Sequence, residues 1–359
     1  MADALAATVD AVLCNARQGD CDDGRALVLD RPGPDGASAL LEACALVIGP
    51  AAWWPRLQMD SVGAVLLAST ARQRGPAAGR PTVRPNAFPA AGVTILRGLL
   101  SDDPEIWCRV DHGPHGYLAT AAHAHADALS FELRLNGCPV LVDPGTYCYD
   151  GGAAWREYFR STVAHNTVEL HGRNQASQGG PFLWLTRPGT RLLRHDGIDA
   201  GDITVVEASH DGYAAEGAVH RRTLVLDRRS RTLDVIDTVE AAAGTPVPVR
   251  LAFNLHPDVA CDLRAGRAEL SWRGKEGGRQ RAVLTLPQSL HWTMHRGETN
   301  PILGWYSKSF GNKEPAPLLL GTGSVVPNQP FSSRLAFGPA GPAAALASGE
   351  ALASAGAAR

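Results

Sequence analysis

The run His123-Ala-His125-Ala-Asp127 sets two imidazoles and a carboxylate at alternate positions, directly before an apolar stretch. In an extended strand, residues i, i+2 and i+4 share a face. The spacing therefore predicts a strand with His123, His125 and Asp127 on one side and Ala124 and Ala126 packed on the other. A further carboxylate stands in Val142-Asp143-Pro144-Gly145-Thr146-Tyr147, and a third imidazole in Ala164-His165-Asn166-Thr167-Val168. Two histidines and a carboxylate make a first shell for zinc, with a fourth position open to water or substrate. A hydrogen-bonded polar cluster tying a loop to a sheet is the competing reading. Asp127 is expected to orient a neighbour or form a turn rather than bind metal.

The elements that must carry these residues are mostly strands. From about 93 to 337 the chain alternates short β-branched runs with Gly, Asp and Asn. Examples are Leu129–Val142, Thr167–Leu170, Ile203–Ala208, Arg222–Leu226, Leu233–Val239, Val249–Leu255 and Ala282–Leu286. Many alternate apolar with polar residues and no helical pattern intervenes, which predicts a mainly β fold, a large antiparallel β-sandwich. Residues 1–75 read instead as a short α-helical segment. Ser38 is placed to cap a helix from Ala39 to Ile48 that Gly49-Pro50 ends, and a second runs from Met59 to Ala71. Residues 76–92, broken by Pro76, Pro81, Pro85 and Pro89, form a linker. Residues 338–359, nearly all Ala, Gly, Ser and Pro, form a tail without stable structure. The acidic stretch Gly19-Asp-Cys-Asp-Asp-Gly-Arg25 reads as a solvated turn and misses the spacing of an EF-hand loop.

With 359 residues and 45% hydrophobic content, the chain can bury a substantial core. A net charge of −2 gives no electrostatic case for nucleic acid or an anionic membrane. No apolar run reaches the roughly 18 residues of a spanning helix, so membrane insertion is not expected. The first residues, Met-Ala-Asp-Ala-Leu, do not read as a signal peptide. Seven cysteines lie at irregular spacing without a CxxC pair; they suit neither a cysteine metal site nor a disulfide framework and favour a reducing compartment.

Three blocks resemble the heparinase II/III-like polysaccharide lyases. They are His123-Ala-His125-Ala-Asp127-Ala-Leu-Ser-Phe131, Val142-Asp-Pro-Gly-Thr-Tyr147 and Tyr158-Phe-Arg-Ser-Thr-Val-Ala-His165-Asn-Thr-Val168. The acidic stretch at 19–25 is similar to a segment late in that family's helical domain. The resemblance implies an (α/α) toroid followed by an antiparallel β-sandwich, and cleavage of uronate-containing polysaccharide by β-elimination. It implies zinc held by His125, Asp143 and His165, structural or site-organising, with His123 facing substrate. It also implies a toroid that fills several hundred residues and supplies a tyrosine, an asparagine and a histidine. Here residues 1–75 are all that precede the linker, and no tyrosine occurs before Tyr117. The helical segment therefore reads as a remnant of the toroid, and the chain as a truncated homologue or fragment.

Tyr158 is a candidate acid or base from the sandwich side, with Tyr147 and Tyr149 as rivals. Arg156 and Arg160 flank it and suit a uronate carboxylate, against an ordinary salt bridge. Asn166 reaches substrate or holds its own loop. Trp305 lines a sugar subsite or packs in the core, and Asn254 and His256 form a polar face. The expected partner is an acidic polysaccharide or oligosaccharide. A non-catalytic, zinc-stabilised glycan-binding module is the alternative function. A polysaccharide substrate points to the periplasm or outside; the N-terminus and cysteines allow the cytoplasm.

Overall fold

The computed structural model describes residues 1–21, 24, 37–69, 79–98, 104–118, 120–150, 152–198, 201–242 and 244–338. Three antiparallel sheets dominate. A five-stranded sheet runs in chain order through Ala87–Phe88, Val93–Gly98, Ile106–Asp111, Phe131–Leu135 and Cys138–Leu141. A four-stranded sheet orders Leu290–Arg296, Pro317–Val325, Val247–Asn254 and Val168–Leu170. An eight-stranded sheet orders Ala260–Arg264, Arg267–Arg273, Arg279–Thr285, Phe331–Phe337, Thr232–Ala241, Ala218–Asp227, Ile203–His210 and Thr190–Asp196. A bridge between Leu141 and Leu255 links the first two sheets.

One apolar core draws on all three sheets, among others through Leu96, Cys108, Phe131, Leu224, Leu233, Leu251 and Phe253. This is the expected β-sandwich. The strand Ala218–Asp227 alternates buried with half-buried residues along its whole length, the mark of one face in the core. The expected strand Leu129–Val142 is a hairpin instead. Asn136 and Gly137 turn the chain with φ of +48° and +69°, the left-handed pair that matches strand twist.

The five-stranded sheet is covered on both faces. Its second face carries Arg97, Trp107, Arg109, Asp111, Glu132 and Arg134, all buried. Such a face needs partners, and residues 1–21 supply them. Arg134 pairs with Asp10, Arg97 donates to the carbonyls of Ala7 and Val9, Trp107 donates to Thr8, and Glu132 accepts from the amide of Arg17.

The described α-helices are Ala2–Thr8, Ala37–Ile48, Val62–Ala68 and Ala153–Phe159. Ala37–Ile48 starts before Ser38, so Ser38 lies in its first turn and does not cap it. Ser61 caps Val62–Ala68, accepting from the amide of Ala64. Pro76, residues 70–75 and the tail from 339 lie outside the described residues, as do Asp22, Asp23 and Arg25 of the acidic stretch. None of the described helices is long and apolar enough to cross a membrane. None of the seven cysteines forms a disulfide among the described residues, and Cys108 and Cys138 are buried.

Candidate metal centre

The segment predicted as a strand at 123–127 is a loop. His123 has φ +60° and Leu129 φ +59°, conformations no β-strand accommodates. Turns close from Ala124 to Ala121 and from Ser130 to Asp127, and the amide of Ala126 donates to Arg160. His123 and His125 therefore do not share a face. The His123 side chain is 64% exposed, whereas that of His125 is fully buried. Ala124 and Ala126 do pack, in a small cluster with Ala176 and with Trp184 of the two-stranded sheet Gln178–Gly180 and Leu183–Trp184.

His125, Asp143 and His165 converge from three segments. One ligand atom from each lies within 4.8 Å of the others, and all three residues are buried. The polar partners decide which atoms are free. His165 Nδ1 lies 2.7 Å from the Ser161 carbonyl, which only accepts, so Nδ1 carries the proton. His125 Nε2 lies 3.1 Å from the Asp20 carboxylate and likewise donates. That leaves lone pairs on His125 Nδ1 and His165 Nε2, which face each other at 3.2 Å. Asp143 Oδ2 stands 3.5 Å from His165 Nε2, while its Oδ1 accepts from the amide of Gly145 at 2.8 Å. Three acceptors thus point at a common space. Such a set requires a proton or a cation between its members. Burial pushes His165 down to about 4 against the pull of the Asp143 charge, which disfavours the proton. The donor set fits a divalent cation, and two imidazoles with one carboxylate suit zinc chemistry.

Asp20 went unrecognised in the sequence as part of this site. It comes from the acidic stretch, across the chain from His125. Its carboxylate takes Arg156 on both oxygens, at 2.5 and 2.7 Å, besides His125. Its Oδ2 also lies 3.8 Å from His123 Nδ1. Burial by itself raises a carboxyl, but the bonds from His125 and Arg156 hold Asp20 well below the usual range. The signal available in the sequence was acidity alone, which a solvated turn explains equally well.

Asn166 is the staple of the site. Its side chain donates to the carbonyls of Phe131 and Val142 and accepts from the amide of Asn254. It joins the segment after His125 to the segment before Asp143. All these contacts are to backbone and hold the loop.

Arg156 and Arg160, expected to bind substrate, have their donors engaged within the chain. The hairpin of Gln178–Gly180 and Leu183–Trp184 closes over both. Arg156 spends its donors on Asp20 and the carbonyl of Pro181. Arg160 donates to Gly180 and Pro181 and lies 4.2 Å from the Trp184 ring centre. Tyr158 is likewise internal. It packs with Phe159, Ala252 and Leu318, its hydroxyl accepts from the amide of Trp305, and burial pushes it up to about 12. That environment suits packing, not proton transfer near neutral pH. Tyr147 bonds Lys313 through its hydroxyl, and Trp305 is half-buried against Trp155. Asp127 is buried beside Asp111 and Asp143; burial first and then their charges raise its carboxyl well above the usual range. It serves the loop, its backbone carbonyl closing a turn by accepting from the amide of Ser130. His256 is capped by the amide of Asp258 and packs on Tyr306, as a polar-face residue would.

A cavity of about 570 Å³ lies between residues 5–21 and the sheets, lined by Arg17, Gln18, Arg109, Thr146 and Lys308 among others. His123 is not among its lining residues.

The family described as heparinase II/III-like, C-terminal, matches residues 80–339. Among solved structures, a heparinase III gene product superposes with a TM-score of 0.61 at 15% identity, over 92% of this chain and 44% of its own. Heparan sulfate lyase HepC from Pedobacter heparinus gives 0.61 at 16% identity, over 93% and 45%. A further heparinase III gives 0.54 at 15%, over 84% and 47%. At such identities the likeness establishes the fold. The chain spans less than half the length of these structures. A search of curated proteins returned no match.

Proposed function

The chain belongs to the heparinase II/III-like family through its C-terminal domain, and on that premise we propose that it is the sandwich half of a polysaccharide lyase. The substrate class is uronate-containing polysaccharide, the glycosaminoglycans being the first candidates because the superposed structures carry heparinase and heparan sulfate lyase names. One observation carries the reading. Three buried acceptors on His125, Asp143 and His165 converge, and beside them His123 alone turns its imidazole outward.

In β-elimination the C5 proton of the uronate leaves to a base, its electron pair forms the C4–C5 double bond, and the C4–O bond breaks. The departing oxygen takes up a proton. Histidine suits the first transfer because its pKa lies near neutrality. His123 sits at the surface, its Nδ1 3.8 Å from a buried carboxylate that steers the ring. His125, Asp143 and His165 would hold zinc, which supplies a fixed positive charge and a tether for three loops. Asp20 holds the tautomer of His125, and Asn166 holds the loops around it.

The test is incubation of the chain with heparan sulfate and other uronate polymers, read as the ultraviolet absorbance of the conjugated unsaturated product. His123→Ala should lower that rate by about 10²–10⁴-fold while zinc content is unchanged, because His123 is no member of the converging set. Absence of the unsaturated end on every polymer sinks the lyase reading. The second reading, a zinc-stabilised glycan-binding module without turnover, is favoured by the buried Tyr158. Glycan binding without product would select it.

A further inference from the structure

We propose that Arg222 is a positioning residue of the metal centre: its guanidinium fixes the separation of the two backbone segments that carry His125 and His165. The inference rests on the reading of His125, Asp143 and His165 as metal ligands. Arg222 lies on Ala218–Asp227, a strand of the eight-stranded sheet, and touches no member of the converging set. Its Nη1 donates to the carbonyl of Leu129 at 2.8 Å and to that of Asn166 at 2.5 Å. Leu129 ends the loop that begins at His125, and Asn166 follows His165. One nitrogen thus bridges both loops, so neither shifts without the other. Leu129 is held at φ +59°, a conformation that leucine keeps only when its surroundings dictate it.

The guanidinium itself has one available pose. Nε and Nη2 meet the two oxygens of Asp237 at 2.8 and 3.0 Å. His220 Nε2 reaches the same carboxylate at 2.7 Å, and His220 Nδ1 faces His210 Nε2 at 3.2 Å. The amide of Gly212 donates to His210 Nδ1. That amide can only donate, so the proton order along the chain is fixed. His210 Nε2 donates to His220, and His220 Nε2 donates to Asp237. The four side chains are each at most 1% exposed, and burial lowers both imidazoles below their ordinary value. A network with one allowed arrangement and no solvent contact holds Arg222 rigidly. Lysine would keep the ion pair with Asp237. With one nitrogen it cannot take a carboxylate on both oxygens and bridge two carbonyls as well.

The experiment compares the chain with Arg222→Lys and with the charge-neutral double variant Arg222→Gln, Asp237→Asn, which folds without an unpaired buried charge even where the single variant does not. Each is stripped of metal and titrated with Co²⁺. Hydrogen exchange of the metal-free proteins is followed in parallel. Both variants should bind Co²⁺ about 10–100-fold more weakly and give an altered visible spectrum. Exchange should quicken over 125–131 and 162–168 but not over Arg267–Arg273 and Arg279–Thr285. A purely ionic role predicts full rescue by lysine. Wild-type spectrum, affinity and exchange in both variants would overturn the proposal. If the parent protein takes up no Co²⁺, the metal reading fails by itself. The exchange data then decide the clamp: faster exchange in the two segments supports it, and unchanged exchange refutes it.

Discussion

Replacing Asp20 by Asn tests whether the N-terminal segment is part of the proposed metal centre. The Asp20 side chain is 1% exposed and accepts from His125 Nε2 at 3.1 Å and from Arg156 at 2.5 and 2.7 Å. Asparagine keeps one oxygen, removes the charge and turns an NH₂ toward either Arg156 or His125. Breaking one side of a buried ion pair costs about 3–5 kcal/mol. Arg156 keeps its bonds to Pro181, which places the loss toward the lower end. At about 2.1 cal/mol/K of unfolding entropy per residue, a 359-residue chain loses roughly 4–7 °C in Tm. His125 also loses its anionic partner, so affinity for the proposed zinc should fall about 10–100-fold. Scanning calorimetry of the chelator-treated protein reads the first effect, and competition with a chromophoric chelator reads the second. The sign with pH is fixed. A carboxyl held below its unfolded value stabilises at every pH above that value, about 3.9, and the contribution is lost only as pH falls through the folded value. The deficit of the variant should therefore be constant from about pH 5 to 8. A variant that matches its parent in both Tm and affinity would show that Asp20 holds nothing.

Two further predictions concern the same framework. Gly19 has φ +59°, and an added Cβ would stand 1.9 Å from the carbonyl oxygen of His123. Gly19→Ala must displace the segment and with it the bond from the Asp20 amide to that carbonyl, at about 1–3 kcal/mol. Limited proteolysis between residues 10 and 21 should quicken, and an unchanged digest would contradict the docking. Burial holds His210 and His220 below their ordinary value, so the unfolded chain binds protons that the fold does not. The urea midpoint should therefore drop as pH falls below about 6.5; equal midpoints at pH 7.5 and 5.5 would refute this.

The strands were legible because a sandwich strand writes its burial at period two. Ile203–Ala208, Arg222–Leu226 and Leu233–Val239 each fall inside the observed strands Ile203–His210, Ala218–Asp227 and Thr232–Ala241. The same rule misread 123–127, because alternation there comes from a loop in which small alanines pack while polar neighbours turn elsewhere. Left-handed φ at His123 and Leu129 has no signature in residues that usually avoid it. The partners of Arg156 and Arg160 were hidden for a related reason. An arginine's type announces affinity for oxygen acceptors, and the chain supplies these from Asp20, Gly180 and Pro181, distant in sequence.

The amino-acid order alone determined the β-rich body and which three blocks bear imidazole and carboxylate, since periodicity and residue chemistry are local properties. Only the tertiary structure decided that His125 is buried and His123 is not, that Asp20 and Arg222 stand behind the site, and that three lone pairs meet. Those outcomes depend on contacts between residues up to about a hundred positions apart, and hydrogen-bond direction is set only once the partners are in place.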